Sequence, residues 1–144
     1  MEVSRIKRKI IFHAGHMLKD DKSKCHGRHG HEYVLECTVQ GAVQLEGAGA
    51  ETGMVMHFGI LKDIMMEEVH DLFDHKFILQ HTDPRRHAMA EIGTEDLVIV
   101  QFAPTAENLA AYIFYLIDDK LPDLVRLVKV SLQETSNCTA FYHG

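Results

Sequence analysis

Apolar residues alternate along the first stretch of the chain. From Ile6 to His16 the even positions read Ile6, Arg8, Ile10, Phe12, Ala14 and His16, an apolar face broken by Arg8 and ended by a histidine, while Lys7 and Lys9 point the other way. A period of two marks a half-buried strand. From His29 the odd positions His29, His31, Tyr33, Leu35, Cys37 and Val39 repeat it, with Glu32, Glu36 and Gln40 opposite. A second strand is therefore predicted to open with its histidines on the apolar face. The polar, glycine-containing "MLKDDKSKCHGR" between the two makes them a hairpin-like pair with a long connection.

Beyond the glycine-rich stretch "GAVQLEGAGAETG" the period changes: Leu61, Ile64, Met65, Met66, Val69, Leu72 and Phe73 recur at helical spacing and predict a first helix. "HTDPRRHAMAEIGTED" reads as a polar loop, and "LVIVQF" after it as a short apolar run. A second helix is predicted to start near Pro104 and Thr105, to carry Leu109, Tyr112, Ile113, Leu116 and Ile117, and to end before Pro122. The remainder reads as two strands turning around Ser136 and Asn137, with Val128, Val130, Leu132 and Glu134 on one face of the first. The order β-β-α-(β)-α-β-β has no internal repeat or linker and predicts one α+β domain over residues 1–144. Two helices would cover one face of an antiparallel sheet.

Composition narrows the function. At 144 residues, with 46% hydrophobic and 25% charged residues, the chain suits one ordered globular domain. A net charge of -6 leaves no basic patch for nucleic acid as the main partner. Cys25, Cys37 and Cys138 are an odd, sparse set without C-x-x-C spacing, which fits reduced thiols in the cytoplasm better than a disulfide framework. No apolar stretch approaches the roughly 18 residues of a membrane span. The eleven histidines are the departure from an ordinary composition.

Three of them converge on paper. His29 and His31 share a strand face, and an antiparallel hairpin would bring His16 to the same sheet end, giving the three-imidazole, open-position donor set of a catalytic zinc. The alternative is a polar strand start whose histidines meet water. His13 falls on the other strand face and His26 in the loop. Cys25 lies in a loop rich in histidine and lysine, where positive neighbours or a metal would favour the thiolate; an exposed loop cysteine is the alternative. Cys37 and Cys138 read as packing residues. Asp74 and His75 in "FDHKF" could form a carboxylate–imidazole proton relay or a solvated helix end. Glu134 ends an apolar strand face, so its carboxylate needs either a donor-rich ligand or a salt bridge. Thr105 and Glu107 in "PTAEN" read as a helix N-cap and a first-turn acid.

Taken in order, "FHAGHML", "CHGRHGHEY", "GMVMHFGILK", "DHKF", "PTAEN" and "LQET" resemble the motifs of the 6-pyruvoyl-tetrahydropterin synthase family. That family includes the bacterial 6-carboxytetrahydropterin synthases of the queuosine pathway. The resemblance spans nearly the whole chain and implies the T-fold and a homohexamer with active sites at subunit interfaces. It implies that His16, His29 and His31 hold Zn2+, that Cys25 is the general base, and that Asp74 and His75 are the second proton-handling pair. Glu134, with Thr105, would anchor the pterin ring. The implied substrate is 7,8-dihydroneopterin triphosphate. The C-x-x-x-H-G-H spacing resembles the queuosine-pathway enzymes, which implies 6-carboxytetrahydropterin, acetaldehyde and triphosphate as products. A pyruvoyl-forming enzyme and a non-catalytic pterin- or metal-binding homologue are the alternatives.

His57 departs from the family pattern G-M-V-x-D-F, which has aspartate at that position. If that aspartate caps the first helix, histidine costs about 1 kcal/mol; if it contacts substrate, histidine would alter activity. Lys19, Lys22, Lys24, Arg28, Arg85 and Arg86 are the cations available to a triphosphate.

Overall fold

Alternation decides the two longest strands. β1 (Val3–His16) buries Ile10, Phe12, Ala14 and His16 while exposing Ile11 and His13, and β2 (His29–Ala42) buries Tyr33, Leu35, Cys37 and Val39. The structure, a computed structural model, describes residues 2–144. After β2 come α1 (Phe58–Met65), a π-helical turn (Met66–His70) and α2 (Asp71–Phe73), which follow one another without a break. Next are β3 (Lys76–Gln80), α3 (Arg86–Ile92), β4 (Leu97–Val100), α4 (Ala106–Asp118), β5 (Val125–Thr135) and β6 (Cys138–Tyr142). The six strands form one sheet in the order β4-β3-β1-β2-β5-β6.

The predicted hairpin has an unbroken antiparallel register from Val3↔Ala42 to His16↔His29. β5 and β6 extend it antiparallel. The sheet is mixed, however: β3 runs parallel to β1, and β4 parallel to β3. The prediction lacked β3 because Ile78 and Leu79 are buried in succession. A short strand covered on both sides shows no alternation. It also lacked α3, which lies in the segment read as a polar loop; none of its seven residues is buried, so it has no apolar period to detect.

One core lies between the sheet and the two main helical segments. Leu61, Met65, Val69 and Phe73, all fully buried, recur every fourth residue. In a regular α-helix that spacing drifts by about 40° per step. The wider π turn at Met66–His70 counters the drift and keeps Val69 and Phe73 facing the sheet. On α4 the buried set is Leu109, Ala110, Ile113, Phe114 and Ile117; Tyr112 is exposed and Leu116 partly so, which rotates the predicted face by about one residue. On β5 the register steps past Val128, pairing Thr38 with Lys129 and Val39 with Leu127. The bulge puts Leu127, not Val128, in line with Val130, Leu132 and Glu134.

His57 is the N-cap of α1, and its side chain makes no capping hydrogen bond. Its carbonyl accepts from Ile60 and Leu61, so the helix starts in the ordinary way with its first amides lacking a side-chain acceptor. His57→Asp is expected to stabilise the fold by about 1 kcal/mol, raising Tm by about 2–4 °C in a thermal melt. An unchanged Tm would mean that a cap at this position contributes nothing. Among the described residues no helix is long and apolar enough to cross a membrane.

Candidate metal centre and active site

The hairpin register assembles the first part of the site. His16 faces His29 across the β1–β2 ladder, and Ala14 faces His31, so the three imidazoles share the inward face at one sheet end. Their ring centroids form a near-equilateral triangle of 4.5, 5.1 and 5.0 Å. Nitrogens from all three lie within 4.8 Å of one another. Between them, Gly15 stands opposite Gly30. A Cβ on Gly15 would come within 2.6 Å of the Phe77 ring, and one on Gly30 within 3.2 Å of the Ala14 carbonyl. A side chain at the glycine of His-Gly-His would thus press on the neighbouring strand, which would have to give by a few tenths of an ångström.

Hydrogen bonds fix the tautomers. Nδ1 of His16 donates to the Pro104 carbonyl at 2.7 Å, and Nδ1 of His29 to the Gly27 carbonyl at 2.7 Å. A carbonyl oxygen can only accept, so these nitrogens carry the protons and each Nε2 is left with a lone pair. Nε2 of His16 and of His31 are buried without a hydrogen-bond partner. What faces them is a carboxylate: Glu134 Oε1 lies 3.4 Å from His16 Nε2 and 3.6 Å from His31 Nε2. The His16 lone pair facing this carboxylate is repelled unless a cation lies between them. Protonation would be one remedy, but burial, reinforced by the neighbouring His29 and His31, lowers the His16 pKa to about 4 against the pull of the Pro104 carbonyl. Burial also holds His31 below its ordinary value, with Glu134 acting in the other direction. At neutral pH His16 and His31 are therefore held neutral, the state in which an imidazole ligates a divalent metal. The donors fit Zn2+.

Cys25 lies half-buried in a 3₁₀ turn, Lys24–His26, in the connection between His16 and His29. Its N–H donates to Ser23 Oγ at 3.2 Å and its carbonyl accepts from Leu18 at 3.0 Å. Cys37 is fully buried and its thiol pKa is pushed up to about 12 by burial, as suits a packing residue. Cys138, predicted to pack, is exposed at the start of the edge strand β6. Thr105 caps α4, its Oγ1 accepting from Asn108 N–H at 3.2 Å, and so steadies the adjoining Pro104 carbonyl that holds His16. The hydroxyl proton of Thr105 remains available to a ligand.

Asp74 and His75 stand elsewhere. Asp74 Oδ2 accepts from His75 Nδ1 at 2.7 Å, and Oδ1 accepts from the His13 backbone N–H at 2.9 Å. Burial acts against the Asp74 carboxylate, but the His13 and His75 hydrogen bonds and the nearby His70 outweigh it and lower its pKa. His75 is in the left-handed region at φ 59, which costs a residue with a Cβ of order 1 kcal/mol or more. Together with His13 it borders a shallow depression floored by Gly15 and Gly30 on the outward face, directly behind the triad. Within one chain the pair and the three-histidine cluster therefore occupy opposite faces of the sheet. His70, which contributes Nε2 at 3.6 Å from Asp74 Oδ2, was missed in the sequence; its i to i+4 spacing from Asp74 was the available signal. The cavity lined by Val43, Leu45, Val55 and Leu124 lies at the other end of the hairpin and holds no histidine.

The chain is similar to known proteins. The family model described as 6-pyruvoyl tetrahydropterin synthase matches residues 5–144. A 6-carboxy-5,6,7,8-tetrahydropterin synthase from Rickettsia bellii is 36% identical over 134 residues, covering 91% of this chain and 94% of the relative. A 6-pyruvoyl tetrahydrobiopterin synthase from Dictyostelium discoideum is 31% identical, covering 95% and 93%. The solved structure of Caenorhabditis elegans 6-pyruvoyl tetrahydropterin synthase superposes with a TM-score of 0.70 at 26% identity, covering 100% of this chain and 97% of that one. The fold is accordingly the T-fold, in which the antiparallel β1, β2, β5 and β6 carry two helical segments on one face. With the sequence matched almost end to end, the chain belongs to the 6-pyruvoyl tetrahydropterin synthase family.

Proposed function

We propose that the chain is a zinc-dependent 6-carboxy-5,6,7,8-tetrahydropterin synthase. It would convert 7,8-dihydroneopterin triphosphate to 6-carboxytetrahydropterin, acetaldehyde and triphosphate in queuosine biosynthesis in the cytoplasm. One observation carries the reading: His16, His29 and His31 bring one ligand nitrogen each within 4.8 Å of one another, and the buried Nε2 atoms of His16 and His31, both beside the Glu134 carboxylate, lack a hydrogen-bond partner. The names of the relatives support the carboxy product, as does the Cys-to-His spacing.

Zinc held by the three histidines would act as a Lewis acid, lowering the pKa of a side-chain hydroxyl of the substrate. Each other part of the work falls to side chains. Cys25, as thiolate, takes the proton from the substrate side chain. Glu134 accepts hydrogen bonds from the N–H groups of the pterin and so orients the ring toward the triad, with the Thr105 hydroxyl assisting. His75, oriented by Asp74, handles the second proton transfer. Because that pair stands on the outward sheet face, it would serve the Cys25 of a neighbouring copy, as in a hexamer with interfacial sites.

The test is to incubate the zinc-loaded protein with 7,8-dihydroneopterin triphosphate and identify the products by mass spectrometry. Carboxytetrahydropterin with acetaldehyde is the expected result. A pyruvoyl product without acetaldehyde would replace this reading with the biopterin-type reaction, and no turnover would leave a binding protein. In the same preparation Glu134→Gln is expected to weaken pterin binding about 10–100-fold, the scale of hydrogen bonds to a charged acceptor, with metal content unchanged. Fluorescence titration with neopterin reads this directly; wild-type affinity would remove Glu134 from pterin recognition.

A further inference from the structure

Arg85 was among the cations available to a triphosphate, yet its guanidinium is already engaged. Its Nε donates to Asp83 Oδ1 at 3.0 Å and Nη2 to Asp83 Oδ2 at 2.9 Å, while its backbone N–H reaches Oδ1 at 2.9 Å. The Asp83 side chain is wholly buried. The remaining arm, Nη1, donates to the His26 carbonyl, 59 residues away in sequence. Arg86 is similarly occupied, donating to the His81 carbonyl at 3.1 Å.

His26 ends the 3₁₀ turn that carries Cys25, and no residue of that turn is buried. Core packing therefore does not hold it. What holds it are polar bonds: Leu18 N–H to the Cys25 carbonyl, Gly27 N–H to the Lys24 carbonyl at 3.0 Å, and Arg85 from the far side. The next carbonyl along, that of Gly27, orients His29. Thus one guanidinium braces the segment that presents both the thiol and a hydrogen bond to a metal-site histidine.

We propose that Arg85, locked by the buried Asp83, is a positioning residue that fixes the Cys25 turn against the metal site. The catalytic half of this proposal rests on the role given to Cys25 above. Arginine suits the task because its planar fork can satisfy a carboxylate with two arms and still direct a third at a carbonyl; the lysine ammonium lacks that geometry.

The test compares zinc-loaded wild type with Arg85→Lys and with the double variant Asp83→Asn/Arg85→Met, which leaves no buried charge unpaired. Amide hydrogen exchange at Leu18 and Gly27 is expected to quicken about tenfold in the variants as the turn opens locally. Iodoacetamide labelling of Cys25, resolved from Cys138 by peptide mass spectrometry, is expected to rise severalfold. The kcat should fall about 10–100-fold with KM nearly unchanged, the cost of misplacing a reacting group. Methylguanidinium added to Arg85→Ala should restore part of it. Exchange and labelling at wild-type rates would overturn the proposal, as would a loosened turn with wild-type kcat. If the wild type itself shows no turnover, the reading of the reaction fails, and exchange and labelling alone decide whether Arg85 fixes the turn.

Discussion

Cys25→Ala is expected to lower kcat about 10³-fold while zinc stays bound, because a positioned general base contributes on that scale. The structure separates the two effects cleanly. The turn is held through the backbone of Cys25, by its N–H to Ser23 and its carbonyl from Leu18, and alanine keeps both bonds. The three histidines that could hold a metal are His16, His29 and His31, and Cys25 is not among them, so the thiol can be removed without touching that cluster. Steady-state turnover with metal analysis on the same sample checks the prediction; unchanged turnover would exclude Cys25 as the base. His75→Ala should be impaired in the same assay. Mixing the two inactive variants under conditions that exchange subunits should recover activity if the thiol and the Asp74–His75 pair meet across chains. No recovery would place them within one.

The clustering of His16, His29 and His31 was legible in the sequence because strand alternation and hairpin register are both written locally. His16 ends one apolar face, His29 and His31 open the next, and a connection of twelve residues returns the chain to the same end. The position of Glu134 at the end of an inward strand face was legible for the same reason, even though the bulge at Val128 replaces one member of that face by Leu127. What the sequence did not reveal depends on distant partners. β3 lacks alternation because it pairs with β1 and β4 inside the sheet, and α3 lacks a period because it buries nothing. The approach of Glu134 to two buried, unpartnered Nε2 atoms needs β5 laid beside β2, and the His16 lone pair needs the Pro104 carbonyl brought from 88 residues away. The engagement of Arg85 likewise requires the loop after β3 to reach the Cys25 turn. From the sequence it reads only as one of the cations available to a triphosphate.

Acidification is expected to destabilise the metal-free protein by about 3 kcal/mol between pH 6.5 and pH 4 through His16 alone. Only 1% of His16 is exposed, and burial is the largest cause lowering its pKa to about 4, whereas the unfolded chain takes up the proton near 6.5. Above pH 6.5 both states are neutral there and the residue adds no pH dependence. As the pH falls from 6.5 toward 4 the unfolded state binds a proton that the folded state refuses, so stability declines by about 1.4 kcal/mol per unit. Below about 4 both states are protonated and the decline from this residue ends. His31, also held down chiefly by burial, acts with the same sign. Urea unfolding of the apoprotein at a series of pH values measures the slope, and His16→Gln, which does not titrate, should flatten it. A wild-type slope near zero would mean that His16 accepts its proton in the folded state, leaving Glu134 paired with an imidazolium rather than facing a lone pair. With zinc bound the dependence should steepen, because the same protons compete with the metal for Nε2, and the lost metal takes its own contribution to stability with it.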